Sequence, residues 1–159
     1  VQWYQASFPL HEQRTPAQQA AAFAHPDYRL WALMEDGAVA GALSMWESPA
    51  FFYVEHFFLD PQARNRGWGS CALSLLQGQG KAVILEIDPP VDDISRRRQG
   101  FYLRNGFRAN PYPHIHPPYR RAFQGHSLVV LSAPAPLAAE EYADFYQYLC
   151  KTVMAGCPG

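Results

Sequence analysis

The chain has 159 residues, 48% of them hydrophobic, and a formal net charge of -1, which suits one domain with a real core and excludes a general nucleic-acid footprint. No apolar run approaches the roughly 18 residues needed to cross a membrane, and no signal-peptide pattern opens the sequence given. Cys71, Cys150 and Cys157 are odd in number and contain no C-x-x-C, so neither a disulfide framework nor a zinc ribbon is signalled, and a reducing, cytoplasmic location is expected.

In chain order, residues 1–8 look like the tail of a helix, which Phe8-Pro9 ends. Thr15-Pro16 is a helix start, with Thr as N-cap and Pro at the first helical position, and the helix is expected over 16–24. Residues 28–34 and 39–46 flank Glu35-Asp36-Gly37 and read as a β-hairpin with Asp-Gly in its turn. Residues 51–59 (FFYVEHFFL) form an almost wholly apolar run that suits a strand covered on both faces. Asp60-Pro61 breaks it. A helical pattern follows at Trp68, Ala72, Leu75 and Leu76, with Cys71 packed in that helix, and Gly78 and Gly80 end it.

Residues 82–87 (AVILEI) are a short buried strand, and a helix capped by Asp92, Asp93 or Ser95 runs on to Arg104. Residues 107–109 start another strand, 110–125 form a long loop rich in Pro, His and aromatics, and 127–131 (SLVVL) are a strand. A final helix over about 138–154 carries Tyr142, Phe145, Tyr146, Leu149 and Val153 on one side, a face that docks on the domain or on a second subunit to give a homodimer. The order is that of a mixed α/β sheet in one domain over 1–159, antiparallel early and with a parallel crossover in the middle.

The junction at 60–70 carries the chemistry. Arg64, Gly67 and Gly69 make R-x-x-G-x-G between a buried strand and a helix. Such a junction aims backbone N–H groups and the positive end of a helix dipole at one spot, an anion site. A Walker loop is absent. Gly67-Trp68-Gly69-Ser70-Cys71-Ala72 fits a loose dinucleotide pattern, but it follows a hairpin and a third strand, which that fold does not explain. A third reading is a loop for the pyrophosphate of an acyl-CoA, Q/R-x-x-G-x-G/A.

Here the sequence resembles the GNAT superfamily of N-acetyltransferases. Arg64-Asn65-Arg66-Gly67-Trp68-Gly69 is similar to that family's CoA loop, and Phe101-Tyr102-Leu103-Arg104-Asn105-Gly106-Phe107 looks like its F-Y-x-x-x-G-F signature, with a strand between the two. The resemblance implies the acyl-CoA N-acyltransferase fold, α/β (α+β), with a mixed sheet splayed at its fourth and fifth strands; the family's first strand would lie before Val1. It implies acetyl transfer from acetyl-CoA directly to a primary amine of a small molecule or peptide, through a ternary complex. The alternative is an acyl-CoA-binding regulatory module that has lost turnover. Where the family often has Asn, Asp92-Asp93 stand here.

By the same resemblance, Phe57, Phe58 and Leu59 would bond the pantetheine arm, and the backbone of Arg64, Asn65, Arg66, Gly67, Trp68, Gly69 and Ser70 would hold the pyrophosphate, with Phe101 and Arg104 nearby. Tyr102 matches the position of the acid that protonates the departing thiolate. An amine of pKa roughly 10.4 is almost wholly protonated at pH 7, so a base is needed. Glu55 and Glu86 are the candidates, though either could simply be a structural carboxylate. Phe8, Tyr112, His114 and Tyr119 are expected to shape the acceptor pocket. His114-x-His116 lacks companion ligands, so no metal is expected, and neither nucleic acid nor membrane is an expected partner.

Overall fold

A computed structural model describes residues 14–61, 67–119 and 124–157. Two compact units are present, the larger made of Asp27–Tyr112 and Val129–Pro136, the smaller of the described parts of Val1–Pro26, Pro113–Leu128 and Leu137–Gly159. The expected helix over residues 1–8 and the pocket residue Phe8 lie outside the described residues, as do Arg64, Asn65 and Arg66.

The larger unit is built on a six-stranded sheet. Its hairpin pairs β1 (Tyr28–Glu35) with β2 (Ala38–Glu47). Asp36 (φ 51°) and Gly37 (φ 79°) both take the left-handed conformation, the geometry of a two-residue turn whose twist matches that of the strands. β3 (Phe51–Leu59) returns antiparallel to β2. The chain then crosses through α2 (Trp68–Gln77; α1 is Pro16–Ala24) to β4 (Ala82–Ile87), which lies parallel to β3. After α3 (Asp93–Arg104) come β5 (Arg108–Ala109) and, later, β8 (Val129–Ala133). The order across the sheet is β1-β2-β3-β4-β8-β5, mixed as expected.

One face of this sheet carries the core. Leu43 and Met45 of β2, Phe52 and Val54 of β3, Val83, Leu85 and Ile87 of β4, and Leu131 and Ala133 of β8 pack with Ala72, Leu73 and Leu76 of α2 and with Phe107. Phe57, Phe101 and Tyr102 border the same cluster. α3 begins where a cap predicts: Asp92 accepts from the Ser95 N–H at 2.8 Å, and Ser95 Oγ accepts from the Asp92 N–H at 3.1 Å. Cys71 departs from expectation, being exposed rather than packed. The apolar stripe of α2 runs through Ala72, Leu73 and Leu76, which turns position 71 outward.

The run at 127–131 is not one strand. His126–Ser127 is β7 and pairs with β6 (Ile115–His116) in a separate two-stranded ribbon, so the expected irregular loop holds regular structure. The Leu128 N–H donates to the His114 carbonyl (3.1 Å), and only then does the backbone join the main sheet as β8. Nothing in Ser-Leu-Val-Val-Leu punctuates that change of partner.

The smaller unit holds this ribbon, α1 and α4 (Ala139–Tyr148), which passes into a π-helical turn at Leu149–Val153. Arg14, 4% exposed, donates to the Val153 carbonyl at 2.7 Å, and its guanidinium lies 5.1 Å from the Tyr119 ring centre. A carbonyl at a helix end otherwise lacks a partner, so this arginine closes α4. The apolar side predicted for α4 is realised: Phe145, Leu149 and Val153 are buried while Glu140, Glu141, Asp144 and Lys151 are exposed.

Leu85 is fully enclosed in the core cluster. Leu85→Ala should lower the unfolding free energy by about 2–5 kcal/mol, read as a shift of the urea midpoint with unchanged slope. A cost below about 1 kcal/mol would mean that this part of the sheet is not the packed centre described.

Candidate active site

The parallel ladder between β3 and β4 stops at Val54–Leu85, while β3 stays paired to β2 as far as Leu59–Gly41. The burial of β3 changes at the same place, from buried at residues 51–54 to half-buried at 55–59. The apolar run predicts a strand covered throughout; it is covered only as far as its parallel neighbour accompanies it. A β-bulge marks the spot. Ser44 pairs with His56 and Met45 with Val54, so Glu55 is the extra residue. A bulge bends its strand and adds twist, which turns β3 away from β4.

Beyond the bulge, the backbone of β3 has two edges. The Asp60 N–H donates to the Ala40 carbonyl of β2 (2.7 Å). Successive N–H groups of a strand alternate between its edges, so that of Phe58 also faces β2, and those of Phe57 and Leu59 face the side that β4 has left. Of the three residues expected along a ligand, two are therefore turned to the opening, and Phe58 belongs to the β2 ladder.

The N-terminus of α2 adjoins the end of β3. Gly67 is its N-cap, with φ 78°, no side-chain capping bond and no acidic residue in the first turn. α1 and α3, by contrast, carry capping boxes. The first described bond back into the turn runs from the Cys71 N–H to the Gly67 carbonyl (3.0 Å). The N–H groups of Trp68, Gly69 and Ser70 precede it, in the positions that helix geometry leaves without an intrahelical acceptor. The two glycines are required for different reasons. At Gly67 the positive φ matters, since a Cβ there would meet nothing within 4 Å; at Gly69 a Cβ would lie 3.0 Å from Phe101 Cζ and 3.4 Å from Leu59 Cδ1. Phe101 thus packs where β3 and α2 meet.

Glu55 and Glu86 lie on the face opposite the core. Glu55 Oε1 accepts from the Trp46 indole N–H at 2.9 Å, and Glu86 Oε1 accepts from the Tyr53 hydroxyl. Trp46 pairs with Tyr53 across β2 and β3, so both carboxylates hang from one polar row. His56 joins it, with Nδ1 3.5 Å from Ser44 Oγ. Trp46, Tyr53, His56 and Ser44 were not singled out from sequence. The signal was the period-2 row through Tyr53 and Trp46, which becomes visible once the hairpin register is known.

Tyr102 is on the other side, against the core cluster, with its ring edge-on to Phe101 (5.2 Å) and Phe107 (5.7 Å). Burial pushes its phenol up to about 12, against a smaller opposing effect of Arg98. Its hydroxyl makes no hydrogen bond among the described residues, while its carbonyl accepts from the Asn105 and Phe107 N–H groups. The sheet thus separates two carboxylates from one phenol, and the opening beyond Val54–Leu85 is where a reacting group could meet both faces.

The remaining candidates are spread over both units. His114 is buried in the smaller unit, stacked on Phe145 (6.0 Å) with Nδ1 2.8 Å from the Tyr142 hydroxyl. His116 Nδ1 is 2.6 Å from the Pro117 carbonyl, and its Nε2 is 3.4 Å from the Tyr119 hydroxyl. The H-x-H pair is therefore spent on separate packing contacts, and no group of three metal-ligating side chains occurs among the described residues. Tyr112 is half-buried in the larger unit. Arg104 is exposed, as are Arg96, paired with Asp93, and Arg98, paired with Asp88. No helix among the described residues is long and apolar enough to cross a membrane.

Comparison with known proteins agrees with this geometry. The family model described as the acetyltransferase (GNAT) family matches residues 1–107. The provisionally named acetyltransferase YjbC of Bacillus subtilis (strain 168) is 25% identical over 113 residues, which are 68% of this chain and 57% of YjbC. The chain thus spans a little over half the length of that relative. A provisionally assigned GNAT-family acetyltransferase from Bacteroides thetaiotaomicron superposes with a TM-score of 0.84 at 27% identity, over 94% of this chain and 86% of its own. The PaiA N-acetyltransferase of Thermoplasma acidophilum, solved with coenzyme A, shares the fold at a TM-score of 0.51 and 12% identity, over 73% of this chain and 66% of that one.

The Tyr102 phenol has a stability signature. Its folded-state pKa is raised, from 10 to about 12, so its contribution is intact below pH 10 and is lost as pH rises towards 12. Between pH 9 and pH 11 the wild type should lose about 1 kcal/mol more unfolding free energy than Tyr102→Phe. Equal losses in urea titrations at the two pH values would show an ordinary, solvated phenol.

Proposed function

Because the chain belongs to the acetyltransferase (GNAT) family, we propose that it transfers an acetyl group from acetyl-CoA directly to a primary amine of a small molecule or peptide, with both substrates bound together. The observation that carries this reading is the end of the β3–β4 ladder at Val54–Leu85, beside a glycine-capped helix N-terminus. The residues present fit an acyl-CoA in two respects. The Phe57 and Leu59 N–H groups, turned to the opening, can pair with an extended amide-containing arm as a further strand would. The N–H groups of Trp68, Gly69 and Ser70, with the α2 dipole behind them, suit a pyrophosphate. Arg64, Asn65 and Arg66 extend that loop in sequence, and exposed Arg104 offers positive charge on α3.

When bound, acetyl-CoA supplies the acetyl group as a thioester. The Phe57 N–H is the donor for charge developing on the carbonyl oxygen; a fixed backbone donor in a site shielded from water stabilises that charge strongly. The carboxylates of Glu55 and Glu86 attract an ammonium to that face, where a base must take its proton, directly or through water. Tyr102 faces the sulfur side. A phenol at about 12 remains a donor throughout the neutral range. Against a thiolate of ordinary pKa near 8.5, full proton transfer from it would be uphill by about 5 kcal/mol. Burial raises a thiolate in the same surroundings as well, so the proton moves as charge builds on sulfur. In this reading the amine attacks the thioester directly, with no acyl-enzyme, and Cys71 is exposed on α2.

Isothermal titration with acetyl-CoA should show binding, and thiol release should depend on an added primary amine. Tyr102→Phe should lower kcat by about 10²-fold or more and leave the acetyl-CoA Kd within about twofold. Absence of binding to folded protein would defeat the reading. Binding without release for any amine would leave a non-catalytic acyl-CoA module, and equal losses of affinity and turnover would make Tyr102 a binding wall.

A further inference from the structure

In a regular strand, successive side chains face opposite sides of the sheet; at the β3 bulge they do not. Glu55 reaches Trp46 and His56 reaches Ser44. Trp46 and Ser44 are two positions apart on β2 and so share a face, which puts Glu55 and His56 together with Tyr53 and Glu86. They are the first two residues past the last β3–β4 pair. A bulge that delivers two consecutive polar side chains to the mouth of the opening does more than bend the strand.

We propose that His56 is a further catalytic residue, the base that takes the proton from the attacking amine, with Ser44 holding its ring. This rests on the acetyl-transfer reading. Glu55 and Glu86 each accept a hydrogen bond from a side chain of the same unit, and such a bond favours the ionised form and weakens the carboxylate as a base. The imidazole is the side chain of this row whose ordinary titration falls near neutral pH. His56 Nδ1 lies 3.5 Å from Ser44 Oγ, and the unprotonated nitrogen of a neutral imidazole is the acceptor.

The amine nitrogen forms its bond to the thioester carbon. An N–H bond then breaks to the unprotonated ring nitrogen of His56, and its electron pair stays on the amine nitrogen as the amide forms. The C–S bond breaks with its pair on sulfur, which takes a proton from Tyr102, and solvent returns both side chains to their starting forms. Among the described residues, the titratable groups of the larger unit on the same face are Tyr28, which lies edge-on to Trp46 at 5.3 Å, together with Tyr53, Glu55 and Glu86. The two carboxylates favour the imidazolium once formed.

Thiol release from acetyl-CoA over about pH 5.5–9 tests this, with wild type, His56→Asn and Ser44→Ala assayed on the same amine, whose own titration cancels in the ratio of kcat/KM values. The expected ratio of wild type to His56→Asn is about 10² at high pH and falls as the imidazole becomes protonated on lowering the pH. Acetyl-CoA affinity should stay within about twofold. Ser44→Ala should keep the titration with a displaced midpoint and lose activity a few-fold. A pH-independent ratio would overturn the proposal, because a merely structural histidine lowers the rate without removing a titration. If His56→Asn does not fold, an unchanged midpoint in Ser44→Ala overturns it. If wild type binds acetyl-CoA but releases no thiol with any amine, the acetyl-transfer reading fails and this proposal fails with it; normal turnover with a flat ratio rejects His56 alone.

Discussion

The parallel pairing of β3 with β4 lasts for four residue pairs, from Phe51–Ala82 to Val54–Leu85, and then ends in the middle of a six-stranded sheet. Buried backbone donors and acceptors rarely go without partners, so an interior opening of this kind is costly unless something else meets those groups. The surrounding features follow from that constraint. The bulge at Glu55 turns β3 aside. Gly69 lets α2 sit against Leu59 and Phe101 at the mouth. The alternation fixed by the Asp60–Ala40 bond aims the Phe57 and Leu59 N–H groups into the gap.

The opening does not weaken the core, because the two ends of the strands do different work. Phe52, Val54, Val83 and Leu85 lie before or at the last pair and are sealed by Leu73 and Leu76 of α2 and by Phe107. The half-buried residues Glu55–Leu59 come after it. The sheet also divides the chemistry, with carboxylates and imidazole on one face and the Tyr102 phenol on the other. A reaction in which one partner loses a proton and another gains one is served by that division, provided that the reacting atoms lie in the plane of the sheet where the strands part.

Much of this was legible in the sequence where local physics decides. Thr15-Pro16, Asp36-Gly37 and the Asp92/Ser95 pair mark a helix start, a turn and a cap through backbone hydrogen bonding that residue type controls. Gly67 and Phe101-Tyr102, read through a family resemblance, point to the junction of β3 with α2. What remained hidden depends on register. The bulge cannot be seen in Tyr-Val-Glu-His, because only the pairing with Ser44 and Met45 shows that one residue is extra. For the same reason the sequence does not mark His56, nor does it show that Trp46 and Tyr53 are the donors that hold Glu55 and Glu86. The switch of residues 126–133 between two sheets is tertiary, and the apolar run gives no sign of it.

The most direct test of the account is a titration of 15N-labelled protein with coenzyme A, followed by amide chemical shifts. Large shifts are expected at Phe57 and Leu59 and at Trp68, Gly69 and Ser70, with smaller ones at Phe58, whose N–H faces β2, and little change along β1 or β8. Shifts confined to the surface of α3, or spread evenly over the sheet with Phe57 and Leu59 unmoved, would contradict the claim that the parting of β3 from β4 is where the cofactor lies.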